Sequence, residues 1–88
     1  MRVVVKNVID RRQHPPLIGA WEVDALVVAS LTRADVGRTV IYCDHGRAEA
    51  GTLVSWRGDT VFARYSSGDT AAGASADRLV FGTSRRRA

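Results

Sequence analysis

Turn residues at short, regular intervals are the feature that most constrains the fold of this chain. From Gly37 to Gly82, short segments of β-branched and aromatic residues alternate with glycine-containing or polar turn segments about every ten residues. This spacing is typical of small barrels and sandwiches, in which each strand soon turns back beside the previous one. The 88 residues suffice for one domain with a small core. We therefore predict an all-β domain.

The first third of the chain predicts two strands separated by a proline-containing loop. Residues 1–9 are mostly β-branched and apolar, whereas Pro15 and Pro16 interrupt regular structure. The segment AWEVDALVVAS then begins with apolar and polar residues in alternation, which indicates a strand. Its second half is apolar on both faces, so strand and short helix both stay open for residues 21–31.

A single helical turn is expected before the next strand. Thr32 is followed three residues later by Asp35, the spacing of a capping box, and Gly37 can end the turn in the left-handed conformation. The segment HGRAEAG, residues 45–51, is interpreted as a loop. Five further segments predict strands: GRTVIYCD, TLVSW, TVFARYS, TAAGASA and DRLVFG.

The tripeptide Arg57-Gly58-Asp59 is one that cell-adhesion receptors recognise. It lies between two strand-forming segments, and glycine readily takes the positive φ that hairpin turns require. No signal peptide supports secretion. We interpret the tripeptide as a tight turn, and residues 67–69 (SGD) as a second one.

The net charge of +4 belongs mostly to the C-terminal end of the sequence. Residues 32–82 contain six arginines and six carboxylates and are neutral, while residues 1–31 contribute one positive charge. The remaining charge comes from Arg85, Arg86 and Arg87. Nucleic-acid binding would therefore depend on these arginines as phosphate contacts, and three of them supply only weak, salt-sensitive attraction.

Cys43, Asp44, His45 and Glu49 are the only cluster of nucleophile, base and acid residues. A thiolate–imidazole pair could be catalytic or bind a metal, but a metal site needs three or four ligands and the chain has no second cysteine. We interpret Cys43 as a small core residue. The sequence predicts no catalytic residues, no metal site and no cofactor, hence no enzyme.

Alternation along the strands predicts a candidate protein-binding surface. Val61, Ala63 and Tyr65 alternate with Phe62 and Arg64, and a charged arginine indicates that its face meets solvent. Trp56 is assigned to the same outer surface. Aromatic residues beside an arginine are typical of protein-binding hot spots. Tyr42 and Tyr65 are expected in the core.

Residues 32–82 resemble an SH3-like barrel of the Tudor and KOW kind. The segments that carry this resemblance are ADVGRTVIY, EAGTLVSWRGDTVFARY and SADRLVFG. More narrowly, they resemble a family of small uncharacterised bacteriophage and prophage proteins, with matching positions at 37–42, 45–49, 51–56, 61–65 and 77–79. The resemblance implies a five-stranded SH3-like barrel over residues 32–82. Residues 1–31 would then be an N-terminal β-strand or hairpin extension, and residues 83–88 a flexible basic tail.

The expected function is that of a non-catalytic protein-binding module, a phage or prophage accessory protein that binds a host or phage protein. A fold of this kind does not itself specify activity. The long apolar first strand makes a homodimer plausible. The alternatives are nucleic-acid binding through Arg85–Arg87 and exposed aromatic residues, or a structural part of a virion. No segment is apolar enough to span a membrane, so we expect a protein of the bacterial cytoplasm.

Overall fold

The computed structural model describes residues 3–66, 68 and 70–86, which form strands, three single 3-10 turns and connecting loops. The strands are β1 Val3–Asp10, β2 Leu17–Ala25, β3 Thr39–Asp44, β4 Arg47–Arg57, β5 Thr60–Arg64, β6 Ala72–Ser75 and β7 Leu79–Arg86. The 3-10 turns are Val28–Ser30, Arg33–Asp35 and Ala76–Arg78. The all-β prediction is confirmed.

The seven strands form one sheet in the order β1-β2-β7-β3-β4-β5-β6. Neighbours in this order are antiparallel, but β1 also pairs in parallel with β4 through Val8 opposite Ala48 and Ile9 opposite Glu49. This additional pairing closes five strands, β1, β2, β7, β3 and β4, into a ring. The structure therefore differs from a five-stranded unit with an appended extension, because β1 and β2 belong to the same sheet as the other strands.

Two hydrophobic cores lie on opposite faces of β3 and β4. Successive residues of a strand point to opposite faces, so Ile41 enters one core and its neighbour Val40 enters the other. The ring core contains the buried residues Val8, Trp21, Ile41 and Ala50. The second core contains Val40, Leu53, Val61, Ala63, Leu79 and Phe81. Because both faces of β3 are covered, its central residues are apolar without alternation.

Gly82 allows close packing between β7 and the ring core. A Cβ atom at this position would lie 2.9 Å from Trp21 Cε3 and 3.0 Å from Thr39 Cγ2. The side chains of Trp21, Thr39 and Ile41 therefore occupy the space that any larger residue at position 82 would need.

A buried ion pair fixes the end of β1 to the middle of the sheet. Asp10 is only 2% exposed, and both of its carboxylate oxygens accept hydrogen bonds of 2.8 Å from the Arg12 guanidinium. Arg12 Nη1 also donates to Thr39 Oγ1, the Gly51 carbonyl and Thr52 Oγ1, each at 3.1 Å. These bonds from Arg12 hold the pKa of Asp10 below its ordinary value despite burial.

The strand predicted for AWEVDALVVAS is confirmed in its first half and wrong in its second half, and the predicted helical turn after it is present. β2 ends at Ala25, and a single 3-10 turn follows at Val28–Ser30. The capping box at Thr32 and Asp35 is present, with the Thr32 N–H donating to Asp35 Oδ2 at 2.8 Å. Gly37 has a φ of +96°, as its turn position requires.

The loop predicted over residues 45–51 is wrong. β4 begins at Arg47, and only His45 and Gly46 connect it to β3. Their φ values are +49° and +76°, the left-handed pair that a tight two-residue hairpin turn needs. Histidine is uncommon in that conformation, so the turn carries no strong sequence signal.

The tight turn at Arg57-Gly58-Asp59 is present, with Gly58 at a φ of +59°. Of the turn predicted at 67–69, positions 67 and 69 lie outside the described residues.

The C-terminal segment differs from the expected flexible tail. Thr83–Arg86 continue β7, which pairs with β2 as far as Arg86 opposite Ala20, and residues 87–88 lie outside the described residues.

Candidate functional site

A cleft of about 490 Å³ lies where β3, β4 and β6 approach the last 3-10 turn. We call it the tyrosine cleft, because Tyr42 of β3 and Tyr65, which follows β5, both line it. The remaining lining residues are Glu49, Ala72, Gly73, Ala74, Ser75, Asp77 and Arg78. Two aromatic rings, two carboxylates and a wall of small side chains therefore meet in one concave site.

The two tyrosine rings are held in a fixed mutual orientation. Their centroids are 6.4 Å apart and their planes meet at 78°, an edge-to-face arrangement. The Tyr42 hydroxyl donates to Asp44 Oδ2 at 3.0 Å, and Arg78 Nη1 donates to the same oxygen at 3.0 Å. Asp44 therefore fixes one ring and one guanidinium of the cleft together.

Tyr65 has a buried hydroxyl that finds no hydrogen-bond partner among the described residues. Burial raises the pKa of Tyr65 to about 12, with smaller contributions from the negative charge of Glu49 and from Tyr42. The group is therefore a neutral hydroxyl at any physiological pH. Its ring lies directly on Gly51, where a Cβ atom would be 2.8 Å from Tyr65 Cδ1.

The charges around the tyrosine cleft sum to one negative charge. Two of its carboxylate contacts are ion pairs, because Arg78 pairs with Asp44 and Arg11 pairs with Glu49, each at 3.0 Å. The Asp77 carboxylate is the excess negative charge of the lining. Aromatic faces next to carboxylates attract cationic groups, since the ring quadrupole and the carboxylate charge act in the same direction.

The structure does not bring the predicted surface residues Trp56, Phe62 and Arg64 together. A bulge between Leu53 and Ser55 makes Ser55 the partner of Phe62 and places Trp56 opposite Val61, on the other face of the sheet. Trp56 consequently packs against the second core instead of sharing the outer face of β5.

Phe62 and Arg64 do share the outer face of β5. The Phe62 ring lies on Gly73 of β6, where a Cβ atom would be 2.9 Å from Phe62 Cε1. Arg64 is half-buried, and its Nε has no hydrogen-bond partner among the residues that the structure describes. The pair therefore flanks β6 on the side away from the second core.

Two of the three C-terminal arginines make contacts within the fold. Arg85 Cζ lies 5.9 Å from the centroid of the Trp21 ring, and Arg86 Nε lies 3.9 Å from Glu22 Oε1. Arg87 lies outside the described residues. Arg85 and Arg86 are thus exposed cations on an ordered strand, without the reach of a flexible tail.

The cluster at positions 43–49 is divided between different surroundings. Cys43 packs against the ring core, and burial raises the pKa of its thiol, so the group is a weak nucleophile. His45 lies on the exposed turn with Nδ1 2.6 Å from Asp44 Oδ1. No set of three or more His, Cys, Asp or Glu side chains in the described part of the chain could hold a metal ion. Nor does that part contain a helix of the length and hydrophobicity needed to cross a membrane.

Comparisons with known proteins do not assign the chain to a family. No family model matches it, and neither the curated proteins nor the solved structures searched give a significant match.

The expectation that both tyrosines lie in the core is met only in part. Tyr42 and Tyr65 pack against the second core, yet both are partly exposed and line the cleft. The available signal in the sequence was the hydroxyl that each tyrosine carries, since a phenol predicted to be buried needs a hydrogen-bond partner.

Proposed function

We propose that this protein is a non-catalytic protein-binding module whose tyrosine cleft receives a lysine or arginine side chain of the partner. The observation that carries this proposal is the meeting of the Tyr42 and Tyr65 rings with Glu49 and Asp77 in one concave site. Aromatic rings and carboxylates both attract a cationic group. The Tyr65 hydroxyl is itself buried, so a ligand would contact the ring and not the hydroxyl.

A basic side chain of a partner suits the cleft in two respects. Its aliphatic stem can lie on the rings of Tyr42 and Tyr65. Its charged end can approach the carboxylates of Asp77 and Glu49. An acidic ligand would instead meet the carboxylates of Glu49 and Asp77.

We further propose an SH3-like barrel for β3 to β7. Support comes from the strand order β7-β3-β4-β5-β6 and from the 3-10 turn Ala76–Arg78 before the last strand. A phage or prophage accessory protein in the bacterial cytoplasm is the proposed setting, and it depends on the sequence resemblance alone.

The outer face of β5 extends the proposed binding surface. Phe62 lies on Gly73 of β6, and Arg64 lies on the same face of β5, so the two can add an aromatic contact and a charge to the binding of a partner. Trp56 is assigned a packing role, because its side chain lies against the second core.

Nucleic-acid binding is the second proposal, supported by the exposed Arg85 beside Trp21. Arg86 and Arg87 would add phosphate contacts, and a plot of log K against log[salt] would have a slope of at most about −3, because only three contacts release counterions. Two alternatives stay open. In a homodimer, a second copy of the chain would occupy these surfaces, and in a virion, another virion protein would do so.

A titration with blocked single amino acids tests the proposed ligand. N-acetyl lysine and arginine methylamides are added to labelled protein, and the ring resonances of Tyr42 and Tyr65 are followed by NMR. We expect weak binding, with a Kd of about a millimolar, and a reduced affinity in Asp77→Asn and Glu49→Gln. Asp59→Asn, on the exposed β4–β5 turn, is the charge-matched control and should bind normally.

The neutral isostere norleucine decides whether charge recognition is involved. If its methylamide shifts the same resonances at the same concentrations, the cleft is only an apolar surface and the proposal fails. Adding a single-stranded oligonucleotide in a parallel experiment tests the second proposal. Shifts at Arg85 and Trp21 that disappear with salt would favour nucleic acid.

A further inference from the structure

β6 carries an open edge of the sheet. At the other end of the strand order, β1 pairs with β4 at Val8 and Ile9, so that end is closed only over these two residues. β6 pairs with β5 from Thr60 opposite Ser75 to Ala63 opposite Ala72, and with no other described strand. A strand at an edge presents unpaired N–H and C=O groups to any extended chain that approaches.

The tyrosine cleft runs along this edge. All four residues of β6, Ala72 to Ser75, line the cleft. Successive side chains of a strand point to opposite faces, so four consecutive residues can line one cleft only if it faces the backbone edge. In an antiparallel pair, alternate residues direct their backbone groups away from the partner strand. About half of the β6 backbone groups are therefore directed at the cleft.

The composition of β6 leaves this edge accessible. Its residues are Ala72, Gly73, Ala74 and Ser75, which are small and uncharged. Edge strands are usually protected by lysine, proline or a bulge, none of which occurs within β6. Its shortness is the one protective feature, and it limits the edge to about four residues of a bound chain.

We propose that the partner binds as an extended segment that pairs its backbone with the β6 edge and places one arginine or lysine in the tyrosine cleft, against the rings of Tyr42 and Tyr65. The side-chain part of this proposal rests on the proposed function, whereas the backbone pairing does not. Strand addition of this kind supplies affinity through main-chain hydrogen bonds and specificity through alternate side chains.

A partner segment fits this edge better than a second copy of the chain. Pairing β6 with β6 of another copy would bring Glu49 and Asp77 of both copies to one place, where like charges repel. The sequence of β6 also contains no basic side chain that could enter the cleft of the second copy. An acidic cleft beside an uncharged edge thus favours a foreign strand that carries a basic residue.

The test uses a blocked hexapeptide of threonine, valine, arginine, valine, threonine and valine. Two analogues carry N-methyl groups on either the odd or the even backbone nitrogens, and a third replaces arginine by norleucine. Only one set of alternate backbone groups can face β6, so one N-methyl analogue should bind at least about tenfold more weakly than the other. Amide hydrogen exchange of residues 72–75 should slow at about two positions when the parent peptide binds.

Each outcome separates the backbone pairing from the side-chain recognition. Equal binding of the two N-methyl analogues, or no binding of the parent peptide at millimolar concentration, would overturn strand addition. Equal binding of the norleucine analogue, together with unequal N-methyl analogues, would retain strand addition and contradict the proposed cation site. Concentration-dependent protection of the same amides without peptide, accompanied by dimer in sedimentation, would assign the edge to a second copy and overturn the proposal.

Discussion

Asp10 and Tyr65 are polar residues that the structure treats in opposite ways. Asp10 is almost fully buried, but Arg12 satisfies both of its oxygens and is itself held by β3 and β4. The Tyr65 hydroxyl is buried and has no such partner among the described residues. The first arrangement stabilises the fold, whereas the second lowers the stability of the folded state. Substitutions at the two sites should therefore change stability in opposite directions.

Tyr65→Phe should stabilise the protein. Removing the buried hydroxyl should raise the free energy of unfolding by about 1 kcal/mol, because the phenyl ring needs no hydrogen bond. Tyr42→Phe is the matched control and should lower it by about 1 kcal/mol, since its hydroxyl bonds Asp44. Urea unfolding of both variants measures the difference. A destabilised Tyr65→Phe would mean that its hydroxyl already has a partner.

Arg12→Met should be strongly destabilising. The substitution leaves the buried Asp10 carboxylate without its cation, which costs about 3–5 kcal/mol. Arg11→Met is the control, because Arg11 pairs with Glu49 at the surface and such pairs contribute at most about 1 kcal/mol. Similar unfolding midpoints for the two variants would contradict the stabilising role of the buried Asp10–Arg12 ion pair.

The same ion pair predicts how stability depends on pH. The pKa of Asp10 is lowered in the folded state from an ordinary value of 3.8, so its stabilisation is present above that value. It is lost as the pH falls through the folded pKa, where the carboxyl becomes protonated. Acid unfolding should therefore be less steep below about pH 4 in Asp10→Asn than in the unsubstituted protein. Identical pH profiles would exclude Asp10 as a contributor.

At the scale of the strands, glycine positions determine how closely neighbouring elements approach. Gly82→Ala should lower the free energy of unfolding by about 1–3 kcal/mol, because the new methyl group would contact Trp21, Thr39 and Ile41. Gly19→Ala, in the paired strand β2, is the control. There the nearest atom to an added Cβ is 3.9 Å away, so the change should be neutral or slightly stabilising. Thermal unfolding of both variants measures these two changes in stability.

The strands were largely predictable from the sequence, whereas their register and the site were not. Alternation along residues 60–64 correctly separates Val61 and Ala63 from Phe62. The bulge before Ser55 cannot be found by counting, and one extra residue moves Trp56 to the other face. The tyrosine cleft brings together Tyr42 of β3 and Tyr65, which follows β5. No local sequence pattern indicates that these two residues lie close together.

At the scale of the whole molecule, β3 and β4 contribute to both cores. Val40 and Ile41 are adjacent and fully buried on opposite faces, so neither core can lose its strands without exposing the other. We therefore expect residues 3–86 to unfold as one cooperative unit, although the sequence alone suggested a separate N-terminal extension.

The two tryptophans provide a test of this cooperativity. Trp21 belongs to the ring core and Trp56 packs against the second core. In Trp21→Phe the remaining fluorescence reports the second core, and in Trp56→Phe it reports the ring core. Within each variant, fluorescence and circular dichroism should give the same urea midpoint. Separate midpoints would show that the two cores unfold independently.

The parallel pairing of β1 with β4 has a consequence for the time course of folding. Short turns connect β3, β4 and β5, so these strands can pair soon after collapse. The ring closes only when Val8 meets Ala48 and β2 meets β7, contacts between residues far apart in the chain. Such contacts are slow to form because loop closure must precede them. The edge of the valine-rich β1 that faces β4 therefore stays unpaired longest in a newly made chain, although β1 and β2 can pair early as a hairpin. Chaperones or proteases that sense unfolded segments would encounter that edge.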